Sequence, residues 1–244
     1  MLQDNPEIYA KEVLGIPMFE DQSVFDPAVL DRVFSLPPVR VTSECARVCL
    51  AIDPSGGGAS SDYSICSMVF IGDMHIVIGL DADASAVDSQ MVQMVMRHIE
   101  AIREQRVLRD AELVLIMEAN MGFYGANRLF EMTRHADCAP VRVLKFIPAS
   151  GKADPRGRHG VITTANRKRQ YVNELRMSLK QDKLRFVSDE DMIGNAPVRD
   201  RAALKRQLRA YSMETKAIQR HGSTGVRYMF SGKAGGMKDD LCLA

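Results

Sequence analysis

The sequence predicts an α/β protein built on one mixed sheet, and three features carry that prediction. Short apolar runs bounded by turn-forming residues recur from residue 48 onward, as buried strands do. The first three runs are separated by short loops, which favours antiparallel neighbours, whereas the later runs alternate with segments of helical periodicity. With 244 residues, of which 46% are hydrophobic, the chain is long enough to bury one sizeable core.

The first half of the predicted sheet is an antiparallel meander. Its strands are Val48–Ile52, Tyr63–Ile71 and His75–Leu80, and Gly72-Asp73 forms a hairpin-type turn between the last two. A helix is predicted over residues 86–107, because apolar side chains recur there at helical spacing. These side chains, which we expect to pack in the core, are Val87, Met91, Val95, Ile99 and Ile102.

Alternating strands and helices follow. Strands are predicted at Leu113–Met117, Val141–Ile147 and Leu184–Val187, helices at 124–134, 163–180 and 198–211, and a hairpin at 216–231. Before them, residues 1–44 are predicted to form an N-terminal arm, a linker or packing extension that contains a helix from Pro27 with Asp26 as its N-cap. Residues 45–244 form the main domain. Three antiparallel strands, a helix and then alternating elements are the plan of the ribonuclease H-like fold.

Acidic residues follow core elements at three separate places. Asp53 ends the first strand, Glu118 ends the fourth, and Asp239 and Asp240 begin an apolar C-terminal segment. Taken alone, Asp53 is better explained as an Asx turn that caps the following loop. In the predicted fold, however, the first and fourth strands are neighbours, so Asp53 and Glu118 would lie side by side. Because hard divalent cations prefer oxygen ligands, the pattern predicts a Mg²⁺ or Mn²⁺ site.

Charge is segregated along the chain although the net charge is only +1. Residues 1–140 carry 10 Lys/Arg and 21 Asp/Glu, and residues 141–244 carry 22 and 10, so the two parts are about −11 and +12. This asymmetry favours a protein that holds a polyanion beside an acidic cluster. The basic residues predicted to follow a DNA backbone are Lys152, Arg156, Arg158, Arg167, Lys168 and Arg169. The last three are equally well explained as the solvated face of a helix.

The motifs resemble the nuclease domain of viral genome-packaging terminase large subunits of the herpesvirus and tailed-phage type. The matching segments are Ile52-Asp53-Pro54 with its glycine-rich loop, Met117–Asn120, and Lys238–Leu241. The resemblance implies that Asp53, Glu118 and one of Asp239 and Asp240 hold two metal ions and are catalytic. Asp240 is favoured, because it shares a helical face with apolar neighbours, and Asp239 is then solvent-facing, a group that supports the ligands, or an accessory ligand of another metal ion.

The resemblance also implies partners and a location. The substrate would be double-stranded DNA, cut from viral concatemers during genome packaging by two-metal phosphodiester hydrolysis. The sequence has no GxxxxGK[ST] phosphate-binding loop, so the packaging ATPase domain is expected outside this chain, with a portal and a small terminase subunit as further partners. Five cysteines without CxxC spacing favour a reducing intracellular compartment, in the host nucleus or cytoplasm, and no membrane association is expected.

Three other functions fit parts of the pattern. A junction-resolving nuclease of the same fold would use the same carboxylates on branched DNA. An actin-like or sugar-kinase-like ATPase would use residues 53–58 as a phosphate loop, although a second such loop and a second domain are lacking in the sequence. A non-catalytic DNA-binding assembly module would keep the acids only as salt-bridge partners.

Overall fold

A computed structural model describes residues 22–42, 47–54, 63–83, 88–120, 127–128, 131, 141–143, 159–194, 197–220 and 223–231. The strands are β1 (Gln22–Ser23), β2 (Arg47–Asp53), β3 (Tyr63–Ile71), β4 (Met74–Asp83), β5 (Glu112–Met117), β6 (Val141–Val143), β7 (Leu184–Phe186), β8 (Ser212–Arg220) and β9 (Ser223–Ser231). The helices with described bounds are α1 (Pro27–Ser35), α2 (Asp88–Glu104), α3 (Ala165–Lys180) and α4 (Pro197–Ala210). None of the described helices is long and apolar enough to cross a bilayer.

The main sheet has six strands in the order β6-β5-β2-β3-β4-β7. β3 is antiparallel to both of its neighbours, and β5 is parallel to β2 and β6 while β7 is parallel to β4. The predicted ribonuclease H-like mixed sheet, with an antiparallel meander followed by parallel strands, is therefore confirmed. The carboxyl ends of β2, β4, β5, β6 and β7 all lie at one edge of this sheet.

The adjacent inner strands β2 and β5 contribute apolar side chains to the core. Val48 and Leu50 of β2 and Leu113 and Leu115 of β5 are fully buried. α2 packs against β3, and α4 packs against β4. The predicted core row on α2 is confirmed for its described members, since Met91, Val95, Ile99 and Ile102 are all buried.

The N-terminal segment packs into the same core. Asp26 is the N-cap of α1, as predicted, and its carboxylate accepts a hydrogen bond of 2.8 Å from the Ala28 amide. The helix buries Leu30, Val33 and Phe34, and the Phe34 ring lies 4.8 Å from the ring of Phe186 on β7. Part of the predicted arm thus acts as a packing extension of the domain. The division at residue 44 stays a prediction.

β4 extends three residues past its predicted end. Apolar residues stop at Leu80, but the ladder to β3 continues, and Asp81 and Asp83 pair with Ile65 and Tyr63. Asp81 is buried there with Arg97 of α2, whose guanidinium lies 3.3 Å from the carboxylate. A strand that ends in acidic residues is not recognisable from hydrophobic periodicity, because the partner of the buried charge lies elsewhere in the sequence.

The thiol of Cys66 on β3 gives a test of the core. Cys66 is buried, and the burial raises the pKa of its thiol from an ordinary 9.0 to about 12. We expect Cys66 to resist alkylation at pH 8 in the folded protein and to react on unfolding, whereas half-buried Cys49 serves as the internal comparison. Mass spectrometry of iodoacetamide-treated protein measures both. Rapid modification of native Cys66 would contradict this burial.

The same pKa difference predicts a pH dependence. Above about pH 9 the thiol of the unfolded chain loses its proton while that of the folded chain keeps it, so the folded state binds more protons. The contribution of Cys66 to stability therefore falls as pH rises above about 9. Urea denaturation at pH 8 and pH 10 should show a smaller pH-dependent loss in Cys66→Ala than in the unchanged protein.

Candidate metal centre

Asp53 and Glu118 lie at the ends of neighbouring strands. Asp53 is the last residue of β2, and Glu118 directly follows β5. Ile52 and Met117 are paired in register, and the Glu118 amide donates to the Ile52 carbonyl at 3.0 Å. Because side chains alternate along a strand and paired residues share a face, Asp53 and Glu118 project from the same face of the sheet. The predicted juxtaposition of these two residues therefore holds.

The two carboxylates differ in their surroundings. Asp53 is enclosed by the sheet and is only 6% exposed. Its partner in the ladder is Ser64 of β3, which is fully buried. Glu118 is half-buried. A buried carboxylate beside a more accessible one gives an oxygen-only donor set, which suits a hard divalent cation at the sheet edge.

After β6 the chain returns to the side of the sheet where β2 and β5 end. Residues 159–161 lie beside the end of β5, where Val161 forms a parallel bridge with Glu118. The Val161 amide donates to the Met117 carbonyl at 2.7 Å, and the Ala119 amide donates to the Val161 carbonyl at 2.8 Å. Glu118 is thus held between β2 on one side and this returning segment on the other.

Asn120 joins the Glu118 carboxylate to the returning segment. Its Nδ2 donates to Glu118 Oε1 at 2.6 Å and to the Thr163 carbonyl at 3.3 Å. Its Oδ1 accepts from the Thr163 amide at 2.8 Å. No role was predicted for Asn120 or Thr163. Their only sequence signal is that Asn120 lies close to Glu118 within the Met117–Asn120 motif, because residue 163 is distant along the chain.

α3 begins immediately after this segment. Thr164 is its N-cap, and the Thr164 hydroxyl accepts from the Arg167 amide at 3.3 Å. The Arg167 guanidinium donates to the Ile162 carbonyl at 3.0 Å, so this side chain supports the turn that leads into the helix. The predicted helix start at residue 163 is thus two residues early, because residues 163 and 164 belong to the turn and cap.

The candidate DNA-binding residues on α3 differ in exposure. Lys168 is half-buried, with its ammonium group 5.8 Å from the centre of the Tyr211 ring, whereas Arg169 is exposed. Arg167 is half-buried through its contact with Ile162. Lys152, Arg156 and Arg158 lie outside the described residues, as do Asp239 and Asp240. Within the described ranges, no group of three His, Cys, Asp or Glu side chains is placed to hold a metal ion.

Comparison with solved structures identifies the fold. The structure is similar to the nuclease domain of the human cytomegalovirus terminase in a manganese-soaked, inhibitor-bound form, with 12% identity, a TM-score of 0.65 and 91% of each chain covered. A second structure of that domain gives 11% identity, a TM-score of 0.63 and coverage of 90% of this chain and 91% of that one. No protein-family model and no curated sequence matches. The predicted resemblance is therefore confirmed at the level of the fold.

Proposed function

We propose that this chain is the nuclease domain of a viral terminase large subunit and cuts DNA in a reaction that requires divalent metal ions. One observation supports the proposal: in a fold similar to that of the human cytomegalovirus terminase nuclease domain, Asp53 and Glu118 stand at the carboxyl ends of adjacent, register-paired strands. An acid at either position alone would be unremarkable. Their register across β2 and β5 is what supports a shared cation.

Asp53, Glu118 and Asp240, with Asp239 as an accessory ligand, are the proposed metal ligands. Two Mg²⁺ or Mn²⁺ ions held by such carboxylates supply an activated water and stabilise the leaving oxygen of a phosphodiester. The chain's own contribution is to hold its carboxylates in place. The main-chain bonds on both sides of Glu118 and the enclosure of Asp53 in the sheet serve that purpose.

Double-stranded DNA is the proposed substrate, and its backbone would cross the sheet edge near the start of α3. Arg169 is exposed there, and the amino end of a 16-residue helix favours anions in its vicinity. Lys152, Arg156 and Arg158 complete the proposed surface with Arg167 and Lys168. Binding through phosphates alone would depend weakly on sequence and strongly on salt.

The proposed setting is the packaging of concatemeric viral DNA inside an infected cell. The nuclease would act beside a packaging ATPase domain, a portal and a small terminase subunit. The surplus of basic residues after position 140 and the absence of a phosphate-binding loop in the sequence support this division of labour, in which this chain cuts and another segment drives translocation.

Cleavage of supercoiled plasmid tests the function. We expect nicked and linear products with Mg²⁺ or Mn²⁺, no products with EDTA, and a steep loss of DNA binding as salt increases. Preferential cutting of a four-way junction over plasmid would instead indicate a junction-resolving nuclease. ATP hydrolysis without DNA would indicate the kinase-like alternative, and DNA binding without cleavage under any metal would indicate an assembly module.

A further inference from the structure

Glu118 requires support if it is to act as a fixed ligand. Its side chain is half-buried at a strand end and has three rotatable bonds, so its carboxylate has several orientations available in the absence of a partner. A metal site of defined geometry requires the carboxylate to keep a single one of these orientations. The partner that the structure provides is Asn120, at 2.6 Å from Oε1.

The hydrogen-bonding capacity of the groups around Asn120 fixes the orientation of its side-chain amide. The Thr163 main-chain N–H can only donate, so the atom that faces it at 2.8 Å must be the Asn120 carbonyl oxygen, Oδ1. The Nδ2 group is then turned to Glu118 Oε1 and to the Thr163 carbonyl. Because Nδ2 can only donate, Oε1 of Glu118 is the accepting atom of this pair, and the carboxylate is tied to Asn120 through that oxygen.

The clamp that the Asn120 side chain and the Thr163 main chain form around Glu118 is itself rigid. Residue 163 lies between the bridge of Val161 to Glu118 and the N-cap at Thr164, so its main chain is fixed on both sides. Oε1 of Glu118 is engaged by the clamp, and in the described part of the chain no group donates a hydrogen bond to Oε2. Among the described residues, the carboxylate therefore has one oxygen engaged by Asn120 and one that accepts no hydrogen bond.

We propose that Asn120 is a positioning residue, which holds the Glu118 carboxylate turned so that Oε2 alone binds a divalent cation. This inference rests on the proposed metal-dependent function. It also implies selectivity: Mg²⁺ and Mn²⁺ suit octahedral sites with single-oxygen carboxylate ligands, whereas Ca²⁺ accepts two oxygens of one carboxylate in a flexible, larger shell. By engaging Oε1, Asn120 disfavours the two-oxygen mode and with it Ca²⁺.

Titration calorimetry with Mn²⁺ and with Ca²⁺, without DNA, tests the inference on Asn120→Ala. Outer-sphere partners of metal ligands typically contribute 10–100-fold to metal affinity, so we expect Mn²⁺ to bind at least about 10-fold more weakly. Ca²⁺ should be affected less, so the preference for Mn²⁺ over Ca²⁺ falls. Asn173→Ala, which removes an exposed asparagine from α3, is the matched control and should bind both ions as the unchanged protein does.

The outcomes separate the two claims. If the unchanged protein binds neither ion and cuts no DNA, the proposed function fails, and this inference fails with it. If the unchanged protein binds Mn²⁺ and Asn120→Ala binds it equally well with the same preference over Ca²⁺, only the positioning role is overturned. Asn120 is exposed, so the loss of its hydrogen bonds should lower the melting temperature without metal by only a few degrees, and a cooperative melting transition of the variant shows that weaker binding does not result from misfolding.

Discussion

Glu118→Gln is expected to abolish metal-dependent DNA cleavage while the protein stays folded. The substitution keeps the size of the side chain but removes the charge that would hold a cation beside Asp53. A metal ion contributes several kcal/mol of transition-state stabilisation to phosphodiester hydrolysis, so the loss in kcat should be about a thousandfold or more. Plasmid cleavage with Mg²⁺ and with Mn²⁺ measures it.

Glu112→Gln is the matched control for this experiment. Glu112 is the first residue of β5 and lies at the amino end of this strand, whereas Glu118 follows its carboxyl end. The Glu112 carboxylate pairs with Arg47 at 2.7 Å. Because that ion pair is exposed, its loss should change stability by less than about 1 kcal/mol and leave cleavage unaffected. Full activity in Glu118→Gln, or equal losses in both variants, would show that the site at the carboxyl edge is wrongly assigned.

The strands β2 and β5 were predictable because most of their residues are buried. Val48–Ile52 and Leu113–Met117 are continuous apolar runs, and such runs mark strands covered on both faces. The acids that follow them were predictable as a pair for the same reason, since two central parallel strands bring their carboxyl ends to one edge. The observed register of Ile52 with Met117 meets that expectation.

Long-range pairings with no local signal were not predictable. β1 is only two residues long, and it is a strand because Gln22 and Ser23 pair with Met213 and Ser212 of β8. The clamp around Glu118 has the same character, because Asn120 and Thr163 are 43 residues apart and meet only when Val161 joins the end of β5. A hydrophobic pattern records which face of an element is buried, and not which distant main chain satisfies a polar side chain.

The segment before α4 offers a large expected effect on stability. Residues 192–194 run along β4: the Ile193 amide donates to the Ile78 carbonyl at 2.8 Å, and the Leu80 amide donates to the Ile193 carbonyl at 3.0 Å. Gly194 follows with a φ of +135°, which side-chain-bearing residues rarely adopt. A Cβ atom there would lie 2.0 Å from the Leu80 carbonyl oxygen, which is backbone and has no room to move.

Gly194→Ala is therefore expected to lower the free energy of unfolding by about 3–5 kcal/mol, because it combines an unfavourable φ with a main-chain clash that breaks the bonds of Ile193 to β4. Gly72→Ala is the matched control: Gly72 has a φ of +61° in the β3–β4 turn, but its added Cβ would meet nothing within 4 Å. Gly72→Ala should lower the free energy of unfolding by only about 1–2 kcal/mol, which is the cost of the positive φ alone. Urea denaturation of both variants measures the difference, and equal costs would mean that residues 192–194 do not pack on β4 as closely as the structure has them.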